Sequence, residues 1–478
     1  MIYGIRMERR ILMDNALVRI MGIRITNLKN VLSGEISFTN APENSNINML
    51  GLFGQNGSGK TVLIDALEVL KYVLCGKSVP SRYVDYISVD AEYARLTFES
   101  LIQFEDKKIE AFYEFSLGKK QNSSDGSYRI RIFDEILKCS ILSGKNTKIE
   151  ELINTCNSNT FAPIEKKQLL TGNAKNIDVD LMVARKLTNM ESRSFIFSDQ
   201  LFEIIEKNSK NANDKVQYEY YKKVIYQLAD FGKYSLFVIN AVTSGFITIN
   251  TQTRSFRGNG VENGAVGTIM IPVEENVILS KEDFMYVSET IENMNIVLQQ
   301  LIPGLTISIK ELGTQLMENG MIGYEIQLMS CKNSKEMPLK YESEGIKKII
   351  SVLPMLIAVY NQAAITVAVD DLDANIFEYL FGELLRLISE RGKGQLIFTF
   401  HNLRVLETVD KQFLAFTTTN PDHRYIRLKN AKRSNNVRDM YYQEIIFGDE
   451  SEELYEKTKN TEISLAFRVA GRYKDVSM

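Results

Sequence analysis

The 478-residue sequence has no tryptophan, two histidines, four cysteines and eight prolines. Cys75, Cys139, Cys156 and Cys331 are scattered without the paired short spacings of a zinc site. No secretory signal accompanies them, so a reducing, cytoplasmic home is expected rather than a disulfide framework. No apolar run approaches the ~20 residues that span a bilayer, which excludes a transmembrane helix. There is no internal repeat and no low-complexity tract. A sustained heptad pattern is also missing, which excludes long coiled-coil arms. The formal net charge of −3 gives no global attraction to nucleic acid. Local pairs such as Lys119-Lys120, Lys166-Lys167 and Lys347-Lys348 leave DNA binding open, although such pairs more often face solvent. With 44% hydrophobic and 24% charged residues, an ordinary globular chain of one large or two to three smaller domains remains.

The stretch that organises the rest is Gly54-Gln55-Asn56-Gly57-Ser58-Gly59-Lys60-Thr61. It follows the apolar run Met49 to Phe53 and precedes Val62 to Leu67, whose apolar spacing is helical. Strand, glycine-rich loop and helix occur in the order a phosphate-binding loop needs, and G-x-x-x-x-G-K-[ST] is complete. Glycines let backbone N–H groups turn inward around a phosphate, and the helix aims the positive end of its dipole at the same anion. Lys60 is expected on the β- and γ-phosphates, and the Thr61 hydroxyl on Mg2+.

Residues 1–15 read as an N-terminal extension. Leu17 to Ile25 and Gly34 to Phe38 read as a β pair around the turn Asn27 to Asn30. Ala94 to Phe104 and Ile109 to Leu117 alternate apolar and polar residues, as antiparallel strands with one wet face do. A first lobe at 16–118 is therefore expected, then a mixed α+β insertion at 119–278, a compact lid or partner-docking module. The insertion carries a helical stretch from Asp199 to Phe231 and apolar β runs at Ser235 to Val242 and Phe246 to Asn250. Its glycine-rich segment Arg254 to Gly267 reads as a surface loop. A second lobe is expected at 279–447, with a helix over Lys281 to Leu301, and a C-terminal amphipathic helix within 448–478, docked on the core or on a neighbouring subunit.

The second lobe supplies carboxylates and a histidine. Ala364 to Val369 is a continuous apolar run, as in a parallel strand buried on both faces, and it ends in Asp370-Asp371. Its C-terminal end is where α/β sheets bind ligands. Asp370 is expected to hold Mg2+ through water and Asp371 to polarise an attacking water, against the bland reading of a solvated strand end. Gln395 to Phe400 delivers His401 to the same edge, where a γ-phosphate or water contact competes with a simple local hydrogen bond. His423 reads as a loop residue. Ser343 is a natural N-cap, and Gly345 lets an anion approach the first turn of the following helix, in which Pro354 is expected to produce a kink.

Taken together, the order of P-loop, long insertion, Ser-x-Gly before a helix, apolar strand with two acids, Asp373 in the next loop and strand-His resembles ABC-type ATPases of the SMC/RecF/OLD branch. The version it is most similar to is that of prokaryotic phage-defence and abortive-infection ATPases. The resemblance covers about residues 17–115 and 280–447. It implies an ABC-type P-loop head with antiparallel first-lobe strands, ATP and Mg2+ as ligands, and heads that pair as homodimers or higher homo-oligomers. Gly54, Asn56, Gly57, Ser58, Gly59, Lys60, Thr61 and Val62 would bind one face of the nucleotide. Ser343 and Gly345 stand where the signature motif reaches the γ-phosphate held by a second subunit, Asp373 matches the D-loop, and His401 the switch histidine. Gln103 is the candidate for the metal-contacting Q-loop glutamine, and Lys29 for a basic residue near phosphate. Two positions depart from the family pattern. Asp371 replaces the usual Glu, and Ser-Glu-Gly the usual Ser-Gly-Gly, which implies slow turnover.

The resemblance implies an assembly switch that senses infection and controls a separate effector, a toxin or nuclease. The alternative is a RecF-like DNA-binding protein of repair. A nuclease within the chain itself fits worse: only 77 residues follow His401, too few for an appended nuclease domain.

Overall fold

The computed structural model describes residues 16–38, 48–104, 107–121, 126–141, 148–209, 214–250, 268–317, 320–428, 437–447 and 452–471. The first part of the chain forms β1 (Leu17–Leu28), β2 (Val31–Ser37), β3 (Met49–Phe53), α1 (Lys60–Leu74), β4 (Tyr93–Phe104), β5 (Lys107–Gln121), β6 (Tyr128–Ile141) and β7 (Ile149–Asn154). The middle forms α2 (Ile164–Thr171), α3 (Ile177–Met190), α4 (Asp199–Lys207), α5 (Lys215–Asp230), β8 (Leu236–Ile239), β9 (Phe246–Asn250), β10 (Thr268–Pro272) and β11 (Val277–Leu279). Next come α6 (Lys281–Leu301), β12 (Leu305–Leu316), β13 (Ile322–Lys332), β14 (Lys335–Pro338), α7 (Glu344–Asn361), β15 (Thr366–Val369) and α8 (Glu378–Arg391). The last elements are β16 (Gln395–Phe400), α9 (Val405–Thr408), β17 (Leu414–Thr417), β18 (Tyr425–Ile426), α10 (Val437–Phe447) and α11 (Asn460–Ala470).

The central sheet has the order β18-β17-β3-β16-β15-β8 and is parallel except for β18. Every residue of β3, β15, β16 and β17 is buried, which explains their mostly apolar text, with Thr366, Gln395, Thr399 and Thr417 as the polar exceptions. Alternate side chains feed opposite cores. Leu50 and Leu52 join the cluster that contains α1, and Met49 and Phe53 the cluster that contains α7 and α8. The outer sheet, β2-β1-β4-β5-β6-β7, is antiparallel throughout. Its β4 alternates partly exposed and buried residues along its length. A smaller antiparallel sheet joins β11, β13, β12 and β14, and β9 pairs with β10. The fold is α/β with mixed sheets.

Three expectations need correction. The boundary at 118/119 cuts through β5, and β6 and β7 continue the outer sheet rather than opening a separate module. The two apolar runs around Ser244-Gly245 go to different partners: β8 is the edge strand of the central sheet beside β15, whereas β9 pairs with β10. A run buried on both faces has no alternation to reveal its partner, which here lies about 130 positions downstream. At the C-terminus, every residue of α11 is exposed, so among the described residues nothing buries this helix and of the two expected docking places the core is ruled out there; Leu454 ahead of it is the buried anchor. Segments 1–15 and 254–267 lie outside the described residues. Among the described residues, no helix is long and apolar enough to cross a membrane.

Candidate functional site

The loop between β3 and α1 is held open by its glycines. Gly57 and Gly59 have φ of 78° and 90°, the left-handed region that a side chain disfavours. A Cβ on Gly54 would lie 1.7 Å from Thr417 Oγ1. Ser58 Oγ donates to Gln55 O at 2.6 Å and lies 2.5 Å from Thr417 Oγ1. Outside the loop, Tyr425 donates to Gly59 O at 2.9 Å, Asn30 donates to Gly57 O, and Arg424 donates to Asn30 O at 2.7 Å. The Lys60 ammonium donates to Gly54 O and Gln55 O at 2.8 and 2.9 Å, folded over the loop's concave side. Burial lowers its pKa, opposed by Asp371, Asp370 and Asp373. Asn56 and Thr61 are exposed, and Val62 anchors the first turn of α1 in the core.

The acids arrive at the end of β15. Asp370 is buried, its N–H donates to Ile239 O of β8 at 2.8 Å, and Thr399 Oγ1 donates to its Oδ1 at 2.6 Å. Burial raises the Asp370 pKa, and hydrogen bonds from Thr399 and Thr61 offset this. The Thr61 contact joins the phosphate loop to the acid strand. Thr399 Oγ1 also accepts from Asp371 N at 2.8 Å, so one threonine fixes both acids. Asp371 has φ of 44°, an uncommon left-handed conformation for a side-chain-bearing residue. Its Oδ1 lies 3.3 Å from His401 Nε2, and this hydrogen bond is the first cause holding its carboxyl below the ordinary range. Asp373, buried and with its pKa raised by burial, accepts the His401 N–H at 2.8 Å. It positions the histidine from behind.

Lys348 of α7 was missed as a site residue because its neighbour Lys347 made the pair look like a solvated face. Its ammonium lies 3.5 Å from Asp370 O and is electrostatically coupled to Asp371, Asp370 and Asp373, while burial lowers its pKa. Lys347 instead pairs with Glu274 and Glu344. Thr399 and Thr417 were also missed. Their signal is a fully buried hydroxyl inside an otherwise apolar strand.

Ser343 caps α7, accepting from Ile346 N at 3.4 Å, and is exposed. A Cβ on Gly345 would come 2.2 Å from Asn375 O, so the first turn of α7 rests on the loop that carries Asp373. Among the hydrogen bonds of the described residues, none joins Ser343 to the phosphate loop of its own chain. Two expected residues are elsewhere. Gln103 pairs across from Leu17 and Lys108, whereas the end of β4 near the phosphate loop is Arg95 opposite Thr26. Eight residues of strand at ~3.3 Å each put Gln103 roughly 25 Å along the sheet, out of reach of a metal at Thr61. An amide does stand beside the acid strand: Asn240, directly after β8, donates to Glu68 at 2.8 Å. Lys29 pairs with Asp65 at 2.5 Å and lies over the Tyr86 ring at 3.8 Å, so its charge is committed within the first lobe.

The edge thus offers two lysines, a hydroxyl and three carboxylates of graded basicity around an open glycine loop, which suits a polyphosphate and an activated water. A family described as an AAA domain matches residues 20–321. No curated protein matches. Similar solved structures include an Smc head domain with an extended coiled coil from Pyrococcus furiosus, bound to the C-terminal domain of ScpA (13% identical, 90% of this chain and 100% of that chain, TM-score 0.38). An SMC head domain from Thermotoga maritima is 14% identical over 86% of this chain and 99% of that one, with TM-score 0.34. The recombination mediator protein RecF is 12% identical over 80% and 93%, with TM-score 0.33.

Proposed function

Because the chain belongs to the AAA domain family that matches 302 of its 478 residues, 20 to 321 inclusive, we propose that it binds and hydrolyses ATP in sites completed between two copies of itself. The observation that carries this reading is the convergence of Lys60, Thr61, Asp370, Asp371 and His401 at one sheet edge, where Thr61 bonds Asp370, His401 bonds Asp371 and Lys60 feels both acids, with the Ser343 cap exposed. Gly54, Asn56, Gly57, Ser58 and Gly59 wrap the phosphates with backbone N–H groups, and the N-terminus of α1 at Val62 adds its dipole. Lys60 neutralises the β- and γ-phosphates. Asp371, kept ionised by His401, orients the attacking water and accepts its proton, and His401 faces the γ-phosphate. Ser343 and Gly345 of the second copy close over the same phosphate.

Mg2+ fits this donor set, since Thr61 and Asp370 present hard oxygen ligands already joined to each other. Among the described residues there is no cluster of three His, Cys, Asp or Glu ligands, so phosphate oxygens and water would complete the shell. When bound, the ion supplies charge neutralisation on the β- and γ-oxygens.

ATP binding then closes a homodimer or larger homo-oligomer, and hydrolysis reopens it. The resemblance to phage-defence ATPases supports a switch that senses infection and controls a separate toxin or nuclease; the RecF-like reading, ATP-governed grip on DNA in repair, is equally compatible with the family. Solution mass with and without a slowly hydrolysed ATP analogue tests the switch, and an unchanged mass at saturating analogue would sink it. Co-purification of an effector together with phage sensitivity of Lys60→Ala would favour defence, whereas ATP-dependent, salt-sensitive DNA binding would favour repair.

A further inference from the structure

A second concave site lies in the outer sheet and shares no residue with the phosphate loop. It is a cleft of about 1080 Å³ between the β5–β6 hairpin, the 156–159 turn and α3. Five cations line it, Lys120, Arg129, Arg131, Arg185 and Lys186, and among the described residues no carboxylate does. The strand register makes this arrangement costly. Lys120 stands directly opposite Arg129, and Gly118 directly opposite Arg131, so three cations share one face of the hairpin. Like charges directly across an antiparallel pair are destabilising. Arg129 Nε is buried without a hydrogen-bond partner. Among the described residues Lys120 hydrogen-bonds only Asn189 Oδ1, at 3.5 Å, and burial together with Arg129 and Arg131 lowers its pKa.

Arg185 has a different role. It donates to the carbonyls of Ser158, Thr160 and Thr155 and feels the carboxylates of Glu135 and Asp134, so it builds the wall. Among the described residues Lys120, Arg129, Arg131 and Lys186 pair with no carboxylate, and Arg131 lies over the Phe133 ring at 4.9 Å. Around them stand Gln121, Asn157 and Asn189, which can pair with the edge of a base. Met182 and Met190 supply adaptable apolar contact for a flat ring. The volume lies just above the roughly 300–1,000 Å³ of small-molecule pockets, in a cleft open to solvent. The cations converge on one hollow instead of following a track, which argues against a nucleic-acid strand.

We propose that this cleft binds a nucleoside polyphosphate, independently of the phosphate loop, as a second, non-hydrolytic nucleotide site. Equilibrium dialysis of the full chain with ATP, and in parallel with GTP, reads it. The expected result is two nucleotides per chain for at least one of them. Lys60→Ala removes one, and Lys120→Glu weakens the other by tenfold or more. Because Lys120→Glu also turns a repulsive cross-strand pair with Arg129 into an attractive one, it should raise Tm by about 1 °C without ligand. Loss of binding with gained stability cannot come from misfolding. Lys186→Glu, exposed on α3, should weaken the same site severalfold.

A single nucleotide per chain with both ligands that Lys60→Ala abolishes, or a site unmoved by both charge reversals, overturns the proposal. So does a 15-nucleotide single strand that displaces the second nucleotide at a tenfold lower concentration, since the cleft would then be a strand-binding surface. If the phosphate-loop reading alone is wrong, Lys60→Ala will leave the stoichiometry intact while Lys120→Glu still lowers it.

Discussion

The central sheet and the outer sheet each have six strands, yet they handle side chains in opposite ways. Strands of the central sheet are buried on both faces, so the polar groups gather where the strands end: Asp370 after β15, His401 after β16, the glycine loop after β3. The outer sheet is antiparallel and half wet, so its polar residues are spread along the strands, as Glu99, Gln103 and Glu114 are. One architecture concentrates chemistry at an edge. The other spreads its polar side chains over a face.

Substitutions can break or sharpen that contrast. Lys60→Ala should reduce both nucleotide binding at the loop and ATP turnover to background, the largest effect, measured by release of phosphate. Asp371→Asn should retain ATP binding while turnover falls by about 10²–10³, because the water loses its proton acceptor; turnover at the parent rate would remove Asp371 from the mechanism. His401→Gln should cost about tenfold to a hundredfold through loss of positioning. It should also move the acid limb of the pH–rate profile. The His401 hydrogen bond holds the Asp371 carboxyl below its ordinary value, so the ionised form persists as pH falls until that depressed value is reached; without the partner, activity should fade at a higher pH. Gln103→Ala, on the outer sheet, should leave turnover within about twofold. If it instead behaves like Asp371→Asn, the division of labour between the sheets is wrong.

How far the sequence could be read follows the same division. The edge where Lys60, Asp370 and His401 meet was legible because the glycine loop, the acid pair and the histidine each follow a short, mostly apolar run, and parallel strands deliver their C-terminal ends to one side. Gln103 misled because an alternating strand offers a polar residue at every second place, and register alone decides how far along the sheet each lies. β8 was hidden because Leu236 to Ile239 reads as buried without naming its partner. Lys348 was hidden because a helical pair of lysines splits its directions: Lys347 meets Glu274 and Glu344, while its neighbour turns inward toward Asp370.

The strand that leads into the glycine loop is sandwiched between β16 and β17, and Ser58 meets Thr417 across 359 positions of sequence. On a ribosome, the loop therefore emerges long before its neighbours exist, and the outer sheet, closed by nearby hairpins, can assemble first. Polypeptides cut short of residue 414 would carry the full glycine motif and still lack the walls that shape it, so the loop takes its form only after Leu414 to Thr417 have been made.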